Sequence, residues 1–215
     1  MSGLDVAVVV AVQDAGRAKS RLGAHLDAGQ RHSLVQAMLD DLLTAVREVH
    51  TGRIVVISPV PAYDAVIAGH RAEALRDPGA GYLAAVRQAL AEVASDEAAL
   101  VLPGDLPQAR GTDIRALVEA LADVPVVLAP SVDGGTCALG LRPPGAMPPA
   151  FGPDSAARHR EAARAASLEL RELRLPSLDR DVDTIEDLAA VWERVGEATA
   201  ATLEQLPLVL PETSQ

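Results

Sequence analysis

Val6-Ala7-Val8-Val9-Val10-Ala11-Val12 is a run of seven apolar residues, five of them valine. A strand with one wet face alternates apolar and polar side chains. A run with no polar position must be covered on both faces, as at the centre of a parallel sheet. The stretches that follow keep this character. A helix is expected over Ala28 to Val49, with Leu34, Val35, Met38, Leu42 and Val46 at helical spacing. Further strands are expected at Ile54 to Ile57, Ala74-Leu75, Ala99 to Leu102 and Val124 to Ala129. Helices are expected between them at Tyr63 to Ile67, Leu83 to Val93 and Asp113 to Leu121. Alternation of this kind means an α/β fold with helices on both faces of a parallel sheet.

After residue 130 the rhythm changes. Ser131 to Phe151 is rich in Gly and Pro around a short strand at Ala138 to Leu141. Helices are expected at Ala156 to Ala166 and Ile185 to Val195, with an extended stretch from Leu168 to Leu175 between them. The reading is a single domain over residues 1–205, with 206–215 a frayed tail.

The chain has 215 residues, a formal net charge of −11, 49% apolar residues and 2% aromatic ones. That is enough chain for a full core without staples. The acidity argues against nucleic-acid polymers and anionic membranes as partners, though local cations or a bound metal leave small anions open. The single cysteine, Cys137, excludes an intrachain disulfide and reads as a packed small residue. The run Val6 to Val12 is too short to span a bilayer, and no basic secretory start precedes it, so a cytoplasmic setting is expected.

In an open α/β sheet ligands bind beyond the carboxyl ends of the strands. The loop after the first strand carries Arg17, Lys19 and Arg21, three cations that either hold nucleotide phosphates or form a solvated basic loop. It matches neither the P-loop nor the three-glycine dinucleotide pattern. After the strand ending at Leu102 stands Asp105, a metal-ligand candidate or a turn aspartate. Asp181 and Asp183 alternate, so an extended backbone points both to one side, where two carboxylates want a cation between them. Thr184 with Asp187 reads as a capping box for the next helix. In Phe151-Gly152-Pro153-Asp154-Ser155, Ser155 reads as an N-cap whose turn offers amides to an anion. Asp133-Gly134-Gly135-Thr136 is a turn suited to close approach of a ligand. His25, His32, His50 and His70 are expected at the surface and form no metal set; His159, one turn beyond Ser155, could face the same pocket.

Taken together, Ala18-Lys19-Ser20-Arg21-Leu22, Gly104-Asp105-Leu106-Pro107, Gly135-Thr136, the run from Phe151 to His159, and Asp181-Val182-Asp183-Thr184 resemble the guanylyltransferases that activate a phospho-acid for the deazaflavin coenzyme (factor 420). The resemblance covers about residues 6–200. It implies a three-layer α/β sandwich with a mostly parallel mixed sheet, like the nucleotide-diphospho-sugar transferases. It also implies transfer of GMP from GTP to phosphoenolpyruvate or 2-phospho-L-lactate, with release of pyrophosphate. By the same resemblance Asp105, Asp181 and Asp183 hold Mg2+. Thr136, Gly152 and Ser155 bind the phospho-acid, and Arg17, Lys19 and Arg21 lie near the GTP phosphates, with Lys19, Arg21 and Asp105 acting in catalysis. Hand-over to the next enzyme of the pathway and a homodimer belong to the same expectations. The chain departs from the family pattern at Gln13, where a lysine is usual, and at Gly81-Tyr82-Leu83-Ala84, where a Leu-Asn pair is usual. Those departures keep two alternatives open: a nucleotidyltransferase with another acceptor (a sugar phosphate or molybdopterin), or a non-catalytic relative that binds only the phospho-acid.

Overall fold

A computed structural model describes residues 4–15, 19–50, 52–77 and 79–208. Arg17 and the end of the expected tail, residues 209–215, lie outside the described residues. In chain order the elements are β1 (Val6–Ala11), α1 (Ala28–Arg47), β2 (Ile54–Ser58), α2 (Asp64–Gly69), β3 (Glu73–Arg76), α3 (Tyr82–Ala91), β4 (Ala98–Pro103), α4 (Gly111–Asp123), β5 (Val126–Pro130), β6 (Thr136–Leu141), α5 (Ser155–Ala165), β7 (Leu170–Glu172), α6 (Ile185–Val191) and α7 (Glu197–Leu203).

Seven strands form one sheet in the order β3-β2-β1-β4-β6-β5-β7. β1 pairs in parallel with β2 and β4, and β2 with β3. β6 runs antiparallel to both β4 and β5, which makes the sheet mixed. The cause is local: only residues 131–135 join β5 to β6, too few for a crossover, so the two form a hairpin.

β1 is buried at every position. Its side chains alternate between two cores. Val6, Val8 and Val10 join the cluster of Leu34, Met38 and Leu42 from α1. Ala7, Val9 and Ala11 join Ala85, Val86 and Ala89 from α3. This double burial is why the strand tolerates no polar residue; each fully buried valine contributes about 1.5–3 kcal/mol.

Several boundaries differ from the expected ones. The extended stretch at Leu168 to Leu175 narrows to β7, the part that finds a partner in β5. The last long helix ends at Val191 and tightens into a 3-10 turn at Trp192–Arg194, before the Gly196 amide bonds the Pro107 carbonyl at 2.8 Å. Of the four histidines expected at the surface, only His25 is exposed. His50 is half-buried, His32 stacks on the Tyr63 ring at 4.9 Å, and His70 lies 2.6 Å from Asp40. An aromatic ring covers His32 and a carboxylate faces His70, each contributed by another element. No helix among the described residues is long and apolar enough to cross a membrane.

α7 is docked by a side chain far from it in sequence. Asp41 of α1 accepts hydrogen bonds from the amides of Ala198 (2.9 Å) and Thr199 (2.8 Å). These are two of the donors a helix start leaves unpaired, and the negative charge suits the helix dipole. The packing is tight enough that a Cβ on Gly196 would collide with Asp41. Asp41→Ala should therefore cost about 2 kcal/mol in urea denaturation. A loss under about 0.5 kcal/mol would show that this cap contributes little.

Candidate functional site

The carboxyl edge of the sheet opens into a cleft of about 460 Å³. Its walls come from the segments that leave the strands: Gln13 after β1, Gly104 and Asp105 after β4, Ser131 and Asp133 after β5. Because β6 is antiparallel, its first residue, Thr136, reaches the same edge. The start of α3 adds Tyr82 and Leu83; the start of α5 adds Gly152 and Ser155. Gly104 must be glycine here, since a Cβ would sit 2.7 Å from the Val12 side chain.

One end of the cleft is acidic. Carboxylate oxygens of Asp105, Asp181 and Asp183 lie within 4.8 Å of one another. The segment carrying Asp181 and Asp183 has no regular structure and is tied down by hydrogen bonds. The Val182 amide donates to the Asp105 carbonyl (3.2 Å), the Val132 amide to the Asp179 carbonyl (2.8 Å), and the Gln108 side chain to the Arg180 carbonyl (2.6 Å). Asp187 closes the segment as the capping partner of Thr184, its Oδ2 accepting from the Thr184 amide (3.0 Å) and hydroxyl (2.8 Å). Arg180 donates to its other oxygen at 2.8 Å. Burial pushes the Asp187 carboxyl up, but the Thr184 and Arg180 hydrogen bonds outweigh burial and hold it below its ordinary value.

Lys19 is the cation of this acidic end. Its side chain is buried, and Nζ donates to Asp183 Oδ1 at 2.7 Å and to Asp105 Oδ2. Burial alone would lower the ammonium; the two carboxylates outweigh it and hold it above its ordinary value. One positive charge does not satisfy three carboxylates. Asp105 Oδ1 is buried without a hydrogen-bond partner. Burial, with the Asp105 and Asp183 charges adding to it, pushes the Asp181 carboxyl up to about 7. Oxygen-only donors, crowded like charge and an orphaned carboxylate oxygen suit a hard divalent cation. Arg21 lines the same cleft.

The other end is lined by hydroxyls, with Asp133 and Asp154 at its rim. Ser155 donates to the Thr136 hydroxyl at 2.9 Å, and His159 Nδ1 lies 3.0 Å from the same oxygen. Gly152, at φ +116°, makes the turn that brings Ser155 there. Ser155 is the first helical residue and not the expected N-cap; Asp154, in the left-handed region, holds the cap position. The expected anion site on that turn's amides is also partly filled. The Ser155 amide donates to the Gly152 carbonyl (3.1 Å) and the Ala156 amide to the Gly134 carbonyl (3.2 Å). Hydroxyls, more than amides, are what this end presents.

The cleft thus gathers Lys19, Arg21, Asp105, Thr136, Gly152, Ser155, Asp181 and Asp183. His159 is fully buried behind the cleft wall and does not face the pocket. Its surroundings push the imidazole down to about 4, burial first and the nearby Arg158 second, so the ring is neutral. Tyr82, which no sequence motif singles out as a site residue, also lines the cleft. Its hydroxyl is buried without a partner near Asp105 and Asp181; its place in the run where a Leu-Asn pair is usual was the available signal. Cys137 is buried, as expected.

The family model described as "Guanylyl transferase CofC like" matches residues 6–205. A phosphoenolpyruvate guanylyltransferase from Roseiflexus sp. is 38% identical over 199 residues, covering 92% of this chain and 90% of that protein. A 3-phospho-D-glycerate guanylyltransferase from Phenylobacterium zucineum is 38% identical over 208 residues, covering 92% and 95%. Among solved structures, a protein from Desulfovibrio desulfuricans described as a nucleotide-diphospho-sugar transferase superposes with a TM-score of 0.76 at 18% identity, covering 94% of this chain and 95% of its own. A Mycobacterium tuberculosis protein solved in complex with manganese gives 0.55 at 22% identity, covering 89% and 100%. These two likenesses concern the fold, which is that of the nucleotide-diphospho-sugar transferases.

Removing the lysine tests the charge balance. Lys19→Met leaves three carboxylates without their fixed cation and should cost about 2–3 kcal/mol of stability, somewhat less than a fully buried pair because Asp183 is half-exposed. Millimolar Mg2+ or Mn2+ should then raise the melting temperature of the variant more than that of the parent chain. Equal responses would contradict the triad as a cation site.

Proposed function

The chain belongs to the CofC-like guanylyl transferase family, and we propose that it transfers a guanylyl group from GTP to the phosphate of a small phospho-acid, phosphoenolpyruvate foremost. An oxygen of the acceptor phosphate forms a bond to the α-phosphorus of GTP. The bond from that phosphorus to the bridging oxygen breaks, and pyrophosphate leaves with the electron pair. The product joins acid and nucleoside through a phosphoanhydride, an activated bond suited to use by a following enzyme. In the deazaflavin coenzyme pathway such a step loads the phospho-acid, and the setting we propose is cytoplasmic.

The observation that carries this reading is the polarity of one cleft, acidic with embedded cations at one end and hydroxyl-lined at the other. In our reading Asp105, Asp181 and Asp183 hold Mg2+, whose role when bound is to neutralise charge on the phosphates around the reacting phosphorus. Lys19 and Arg21 meet the triphosphate oxygens. Thr136, Gly152 and Ser155 seat the phospho-acid. No side chain needs to become covalently bonded to phosphorus, so the protein's contribution is alignment and charge neutralisation. Gln13, Tyr82 and Leu83 line the cleft and are the positions where nucleotide selectivity would differ from relatives. The acceptor is the open variable, because a relative at the same identity is named for 3-phospho-D-glycerate.

Pyrophosphate release from GTP should require both Mg2+ and an acid, tried singly as phosphoenolpyruvate, 2-phospho-L-lactate and 3-phospho-D-glycerate. Asp183→Asn should lower the rate by about 100-fold while the fold persists. A folded protein that releases no pyrophosphate with any of the three acids would overturn the reading. An undiminished Asp183→Asn would overturn the metal assignment.

A further inference from the structure

His159 is absent from the cleft lining, yet every hydrogen-bonding atom of its ring is spoken for. The Ala150 amide donates to Nε2 at 2.8 Å. A backbone amide only donates, so Nε2 carries the lone pair. The ring is fully buried and neutral. Its one proton is therefore on Nδ1, which donates to Thr136 Oγ1 at 3.0 Å. Ser155 Oγ donates to the same oxygen at 2.9 Å. Thr136 Oγ1 then accepts twice, which uses both its lone pairs. Its own proton has to point in a third direction. Among the described residues no protein acceptor takes it, and Thr136 lines the cleft. The Phe151 ring meets the imidazole edge to face at 5.2 Å and 75°, which fixes the plane of the ring.

We propose that His159 is a positioning residue for the acceptor: locked with its proton on Nδ1, it turns the Thr136 hydroxyl into an outward donor for an anionic oxygen of the phospho-acid. With the proton on Nε2 instead, Thr136 would have to donate inward to Nδ1, and the cleft would lose that donor. The inference rests on the reading of Thr136 and Ser155 as the acceptor end.

Two variants of the full chain separate the tautomer lock from mere packing. His159→Asn brings a side-chain N–H to the Nδ1 position, keeping the donor to Thr136 and losing the acceptor for Ala150. His159→Gln brings an oxygen to the Nε2 position, keeping the bond from Ala150 and losing the donor to Thr136. In steady-state assays with GTP and phosphoenolpyruvate, His159→Gln should raise KM for phosphoenolpyruvate about 10-fold, the worth of one hydrogen bond. KM for GTP should stay level. His159→Asn should stay within about 3-fold on both. Equal rises in the two variants, no rise in His159→Gln, or a matching rise for GTP would overturn the inference. Thr136→Val distinguishes the two levels of the argument. If it leaves KM for phosphoenolpyruvate unchanged, the acceptor site itself is misplaced; if it raises KM while His159→Gln does not, only the role of His159 fails. Nitrogen-15 spectra of the unmodified protein decide the case even if the variants do not fold. A proton on Nδ1 and a Nδ1 resonance that moves with phosphoenolpyruvate but not with GTP are expected; a proton on Nε2 would overturn the proposal.

Discussion

Three carboxylates share a space in which their oxygens are all within 4.8 Å, and the side chain bonded among them supplies a single positive charge. Like charges this close at the edge of a protein interior are costly unless compensated. The compensation here is incomplete: Asp105 keeps an orphaned oxygen, and burial, with the Asp105 and Asp183 charges adding to it, pushes the Asp181 carboxyl up. The rest of the molecule can be understood as the framework that forces this arrangement. β4 delivers Asp105, the loop after β1 delivers Lys19, and the tethered segment before α6 delivers Asp181 and Asp183.

The framework is rigid because it is buried on both sides. β1 inserts alternate side chains into two cores, and Asp41 and Asp187 cap α7 and α6. The acidic segment itself is irregular chain, so its position depends on a few backbone hydrogen bonds. A bulk charge of −11 is thus no obstacle to anionic substrates. Some of that charge is gathered where a cation can convert it into attraction for phosphate.

What was legible in the sequence is what is encoded locally. A strand covered on both faces must be uniformly apolar, and Val6 to Val12 is. Asp181 and Asp183 alternate, and they do converge. Thr184 and Asp187 form the expected box because a cap involves only near neighbours. What was not legible depends on partners distant in sequence. Lys19 meets carboxylates 86 and 164 residues away, and no local pattern states that. The antiparallel β6 follows from loop length, a weak signal beside the βα rhythm. Ser155 looks like a cap in sequence, but Thr136 claims its hydroxyl and the cap passes to Asp154. A lone histidine has no readable role until its two nitrogens have named partners.

The central claim is group transfer onto the acceptor's phosphate, and phosphorus NMR of the reaction mixture observes it directly. With GTP, Mg2+ and phosphoenolpyruvate, the account predicts a product with two mutually coupled phosphorus resonances, one from the α-phosphate of GTP and one from the acid, beside free pyrophosphate. GMP and uncoupled phosphoenolpyruvate, with no new phosphoanhydride, would contradict it.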